Sequence, residues 1–318
     1  MSHPYGNGRG PSSGSSAPDT GFRAATIEDG ARERDLYPPY LASGRKLGHG
    51  TAAWLPAPPE EMPVPGPRRP DSAFTSPRPV VALLDTGVQD HDVLLLDSGE
   101  PYWTEAPGWV PPLPIPSAEP GVYGSHWGHA TFLAGLIRLA APDARLLSLR
   151  VMDDSGRASD TNVAAALTWL ADQSDGGMRL DVVLAAFGRT AETSDEDLAP
   201  VRAALARLAR LGVTVVASAG NSGSEQPVYP AAFAADAELS VISVGARVSP
   251  TERARFSNHG VWVRGWGAGT NVVSIMPLRT TVADGGGFAY WSGTSFPAAS
   301  HAGVLAQAVA DRSARAAT

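Results

Sequence analysis

The chain has 318 residues, 43% of them apolar and 18% charged, so it can bury a sizeable core and is not a disordered polymer. It has no cysteine, which excludes a disulfide scaffold, a thiolate metal site and a cysteine nucleophile. The formal charge of −7 argues against a nucleic-acid partner held by a basic surface.

Proline divides the chain. Of 28 prolines, half precede residue 80 and a second cluster lies in 101–120. Each proline removes a backbone donor and fixes φ, so neither region reads as the interior of a sheet. Residues 1–76 therefore read as a Pro/Gly/Ser-rich N-terminal extension, with 55–79 an extended linker, and residues 77–318 as one compact domain. The front shows no charged and apolar secretion signal, and no apolar run is long enough to span a membrane. A cytoplasmic location with no membrane partner is the expectation.

From residue 79 the texture changes. Short apolar runs at 80–84, 145–151, 181–187, 213–218 and 239–245 have the length and continuity of strands buried on both faces. Helical spacing lies between them. Leu198, Val201, Leu205, Leu208 and Leu211 share one helix face, and 162–171 is alanine-rich with Leu167 and Leu170. The alternation predicts an α/β fold, a doubly wound and mostly parallel sheet with helices on both faces.

Such sheets gather chemistry beyond the carboxyl ends of their strands. Asp85 closes the first run, His129 opens an apolar helix, Gly220-Asn221-Ser222-Gly223 follows the fourth run, and Ser295 opens a last small-residue helix. Singly, each has an ordinary explanation as a turn, a cap or a loop. Together they supply a nucleophile, a base to take its proton, a carboxylate to orient the base and an amide for an oxyanion. A zinc site built on His126 and His129 with His91 or Asp92 is the weaker reading, because ligands at i and i+4 with an intervening glutamate are missing.

The ordered segments VALLDTGV (81–88), HATFLAG (129–135), GNSG (220–223) and GTSFPAASHAG (293–303) resemble those of subtilisin-like serine peptidases. The order Asp, His, Ser is that of subtilisin itself. The resemblance implies Asp85, His129 and Ser295 as the triad and Asn221 as the oxyanion donor. It also implies a peptide or protein substrate lying between Ala186-Phe187-Gly188 and Ser218-Ala219-Gly220. The reaction implied is endopeptidase hydrolysis through an acyl-enzyme, of narrow specificity suited to maturation or regulatory processing. A catalytically silent peptide-binding protein of the same fold is the alternative.

Several positions depart from the family pattern. Phe132 replaces its second motif histidine, Phe296 its methionine after the nucleophile, and Phe187 the leucine of its substrate strand. The first two are expected to change packing near the base, and Phe187 to narrow a subsite. No diffusible cofactor is required; a structural calcium is left open, although the usual calcium loop has no carboxylate-rich counterpart after Gly135. The proline-rich insert between Asp85 and His129 is expected to overhang the cleft. The extension is a tether or an intramolecular mask, with Leu36–Tyr40 the segment singled out for masking.

Overall fold

The computed structural model describes residues 22–24, 54–117, 124–190, 195–277 and 287–316. Fourteen strands and four α-helices follow one another in these residues. The extension contributes β1 (Phe22–Ala24) and β2 (Leu55–Pro56), and the domain opens with β3 (Val80–Asp85) and β4 (Trp103–Glu105). Next come α1 (His129–Ala140), β5 (Arg145–Arg150), β6 (Arg157–Ala158), α2 (Asp160–Asp175), β7 (Val182–Ala185) and β8 (Phe187–Thr190). They are followed by α3 (Asp195–Arg210), β9 (Thr214–Ser218), β10 (Val228–Tyr229) and β11 (Val241–Arg247). Last are β12 (Gly265–Ala268), β13 (Val272–Ile275), β14 (Phe288–Trp291) and α4 (Ser295–Arg315).

Seven strands form the central sheet in the order β12-β11-β9-β7-β3-β5-β4, with every pairing parallel. Alternate side chains of β3 go to opposite faces, as the period of a strand requires. Ala82 and Leu84 join a core cluster with Val163, Leu167 and Leu170 of α2 and Leu198, Val201 and Leu205 of α3. Val81 and Leu83 join another with Phe132, Leu133 and Ile137 of α1 and Ala298, Ala302 and Ala306 of α4. The predicted double winding is what the chain adopts. After β3 and α1 the chain adds β5 on one side of β3, then crosses by α2 to add β7 on the other. That reversal opens a crevice at the carboxyl end of β3, where Asp85 sits.

Two elements differ from the periodicity. The helix face read through Leu211 ends earlier, because α3 stops at Arg210 and Gly212 turns the chain at φ 79°. Leu211 is left at the surface. The run 181–187 is not one strand: β7 ends at Ala185, and Phe187 starts β8 in a different sheet, of order β10-β8-β1-β6.

Residues 54–79 are extended but fastened down. β2 pairs with β14 in the three-stranded sheet β13-β14-β2. The Arg69 guanidinium donates to Asp143 at 2.8 Å and to Asp311 at 2.6 Å, while Ser76 and Ser313 share a 2.8 Å hydrogen bond. The insert is anchored as well. Trp103–Glu105 is the edge strand of the main sheet, the Trp109 indole donates to the Arg150 carbonyl, and Asn162 of α2 exchanges two hydrogen bonds with the Leu113 backbone. No helix among the described residues is long and apolar enough to cross a membrane.

Candidate active site

Asp85 and His129 meet in the crevice, both wholly buried. The His129 Nδ1–H donates to the Asp85 carboxylate, at 2.9 and 3.0 Å from its two oxygens. The local sequence fixes both partners. The Asp85 Oδ1 also accepts the Thr86 backbone N–H at 2.8 Å, and the Thr86 hydroxyl accepts the Ala130 N–H at 3.2 Å in the first turn of α1. Gly128, just ahead of His129, has φ 80°, and a Cβ there would lie 2.7 Å from Met276 and Pro277. Only glycine turns the chain into α1 at that point.

Ser295 is the first residue of α4, where unpaired helix N–H groups and the dipole favour developing negative charge. Its hydroxyl donates to the Ala186 carbonyl at 3.1 Å. His129 Nε2 is buried with no hydrogen-bond partner, so the proton-accepting atom of the base is available. The Asn221 Nδ2 is also buried and unpartnered, while its Oδ1 accepts the Thr294 N–H at 3.0 Å. That bond sets which end of the amide is left to donate. The Thr294 hydroxyl in turn accepts the Gly220 N–H at 3.0 Å, tying the Asn221 loop to the Ser295 loop.

The remaining positions picked from the sequence lie alongside. Ala186, Phe187 and Gly188 form the strand edge next to Ser295, and Ser218, Ala219 and Gly220 leave the end of β9. Gly188 and Gly220 both flank Val228, at 2.2 and 3.3 Å from a constructed Cβ, so neither site has room for a side chain. The aromatic ring of Phe187 is fully buried in the cluster containing Val163 and Leu167. His126 is beside His129, with ring centroids 5.8 Å apart, and its Nδ1 is paired with the Ser125 hydroxyl at 2.9 Å. No group of three or more potential His, Cys, Asp or Glu ligands occurs among the described residues. Leu36–Tyr40 lies outside the described residues.

Three contributors were not picked from the sequence. Trp291 stands 5.3 Å from His129 between ring centroids and, with Phe132 and Phe296, walls the imidazole with aromatic rings. Its position four residues before Ser295 carried no signal beyond β-propensity. Thr294 orients Asn221, a role hidden in a Gly-Thr-Ser that also reads as a cap. Arg157–Ala158 flanks the strand at Phe187 from across β1, and two residues are too short for any periodicity to reveal.

The arrangement can abstract a serine proton, orient and stabilise the resulting imidazolium, and donate to an oxyanion. The model of the subtilase family matches residues 77–315. The M-protease of Shouchella clausii (strain KSM-K16) is 31% identical over 235 residues, covering 71% of this chain and 52% of that protein. The chain spans about half the length of the first curated relatives it matches. Among solved structures, the prenylagaramide maturation protease PagA aligns with TM-score 0.57 at 23% identity, covering 77% of this chain and 79% of that one. A lanthipeptide protease aligns with TM-score 0.56 at 22% identity, covering 75% and 77%. These two likenesses concern the fold.

Proposed function

The chain belongs to the subtilase family, and from that premise we propose that it is a serine endopeptidase acting on peptide or protein substrates. The observation that carries the proposal is the pairing of a buried Asp85–His129 couple with an unpartnered Nε2 and an unpartnered Asn221 amide, both near the Ser295 helix start. Buried polar atoms without partners are costly, and an active site is where such a cost is sustained.

In the proposed reaction Ser295 Oγ attacks the scissile carbonyl as His129 Nε2 takes its proton. Asp85 holds the imidazole in the tautomer with Nδ1 protonated and stabilises the cation. The oxyanion then accepts from Asn221 Nδ2 and from the Ser295 backbone N–H. His129 passes its proton to the leaving amine, and water repeats the sequence to release the acid. The aromatic wall of Trp291, Phe132 and Phe296 excludes water around the imidazole, which strengthens its bond to Asp85. None of these steps calls for a metal or a diffusible cofactor.

Narrow specificity, toward maturation of particular peptides, is supported by the glycines pressed against Val228 and by the likeness in fold to two processing proteases. An intramolecular N-terminal mask belongs to the same reading. A silent binding protein is the second reading, favoured by the Ser295 hydroxyl bonding to Ala186 instead of His129. Stoichiometric labelling of Ser295 by a fluorophosphonate, absent in Ser295→Ala, decides for the peptidase. A folded protein that stays unlabelled, with and without its extension, decides for the binding protein.

A further inference from the structure

Between the two segments that flank Ser295, one side chain occupies the floor. A Cβ built on Gly188 would overlap Cγ1 of Val228. One built on Gly220 would come within 3.3 Å of Cγ2 of the same valine and 2.6 Å of the Asn258 amide nitrogen. A single isopropyl group therefore spans from β8 to the chain leaving β9. Val228 is 6% exposed and belongs to the core cluster that holds Phe187 and Ala219, so it has no room to withdraw. Nor does it swing aside readily. A β-branched side chain is stiff at χ1, and its backbone is held by β10, which pairs with β8 through Val228 opposite Thr190 and Tyr229 opposite Arg189. The Tyr229 ring packs edge-on against Phe233, 4.8 Å between centroids, which fixes the far end of the same strand.

We propose that Val228 determines specificity, and that substrates are cut after a residue with a small side chain: glycine, alanine or serine. The proposal rests on the peptidase reading above and names the class of bond within it. A scissile carbonyl has to reach Ser295 Oγ and Asn221 Nδ2 together. The Ser295 hydroxyl lies on the Ala186 carbonyl, and Thr294 ties the serine loop to Gly220 and Asn221. The residue that carries the carbonyl is thereby placed between 186–188 and 218–220, with its side chain directed at the valine. A methyl or hydroxymethyl group stops above that floor. A leucine, phenylalanine or arginine side chain would need the volume that the isopropyl group already fills, and a packed interior resists added carbon. The Asn258 amide closes the space under Gly220, so a long side chain finds no second way down.

The test uses the full chain and its Ser295→Ala, Val228→Ala and Val228→Gly variants. Two peptidyl diphenyl phosphonates serve as probes, identical except that the residue at the reactive phosphorus is the alanine or the phenylalanine analogue. Intact mass follows modification of Ser295, and a small fluorophosphonate reports whether the serine reacts at all. The wild type should take the alanine probe about 10²-fold faster than the phenylalanine probe. Val228→Gly should shrink that ratio at least tenfold, and Val228→Ala should shrink it by less. The ratio compares two rates within one protein, so a general loss of fold or reactivity cancels, and the wild-type ratio needs no variant to fold. A serine that reacts with fluorophosphonate but shows no preference for the alanine probe, whether both peptidyl probes react alike or neither reacts, overturns the small pocket. A ratio unchanged in a folded Val228 variant overturns the valine as its cause. Wild type that reacts with none of the three probes overturns the peptidase reading, and the inference with it.

Discussion

Ser295 points its hydroxyl at the Ala186 carbonyl, 3.1 Å away, while His129 Nε2, already anchored through Nδ1 to Asp85, has no hydrogen-bond partner. The proposed nucleophile and its proposed base are thus held by separate partners. The hydroxyl rests on the Ala186 carbonyl, at the position proposed above for substrate binding.

In the proposed mechanism Ser295 and His129 act as one unit, so their removal should not be additive. Ser295→Ala, His129→Ala and the double variant are expected to lose similar turnover, on the order of 10⁶-fold, a size measured in subtilisin itself. Turnover of a chromogenic peptide checks this. Losses that multiply in the double variant contradict a shared step.

Asn221 accepts from Thr294 through Oδ1, which leaves Nδ2 for the oxyanion role proposed above. Asn221→Ala should lower kcat by ~10²–10³ with KM little changed, again the loss known from subtilisin. Asn221→Asp keeps the acceptor for Thr294 and should preserve the melting temperature, yet turn over more slowly still because an anion faces an anion. A change confined to KM would deny the amide its role in the transition state.

The Gly128 turn is predicted to be intolerant. Gly128→Ala puts a Cβ at φ 80° within 2.7 Å of Met276 and Pro277, costing about 1–3 kcal/mol in backbone strain. His129 follows directly, so kcat should fall further than the loss of stability explains. Unchanged kinetics at a temperature where the variant is fully folded would contradict the positioning argument.

Asp143 makes stability depend on acid pH. Its burial opposes ionisation, but bonds from Gln307 and from the Arg69 backbone and guanidinium outweigh it and hold the carboxyl below the usual range. A depressed folded pKa gives stability that is present above the unfolded pKa of ~3.9 and lost as pH falls through the folded value. Asp143→Ala should cost about 1–3 kcal/mol near neutrality, since Arg69 and Gln307 lose a hydrogen-bonded acceptor while Arg78 keeps Asp71. The gap from wild type in denaturant melts should close toward low pH.

Chelation should leave the melting temperature unchanged. The carboxylate that follows α1, Asp143, is committed to Arg69, Arg78 and Gln307 and is not free to bind a cation. A fall in melting temperature with excess chelator, reversed by calcium, would reveal a site of other donors.

The sheet and the reactive residues were legible because each is written locally. Continuous apolar runs marked β3, β5, β9 and β11, leucine spacing marked α3, and Asp85, His129, Asn221 and Ser295 stand where those elements begin or end. What escaped was set by tertiary contact. Nothing in 181–187 announces that Ala186 leaves the sheet, since its neighbours are as apolar as a core strand. The proline-rich 55–79 looked like an extended linker because its anchorage depends on Asp143, Asp311 and Ser313, far away in the sequence. Strands of two or three residues, such as β1 and β6, exist only through their partners.

β1 and β2 are pieces of one continuous chain, the first paired with β8 and the second with β14. Because the tie between them is covalent, each strand competes for its place at an effective concentration of millimolar order, whatever the protein concentration. Dilution does not release either strand, whereas a free peptide of the same sequence would need to reach that concentration to take its place.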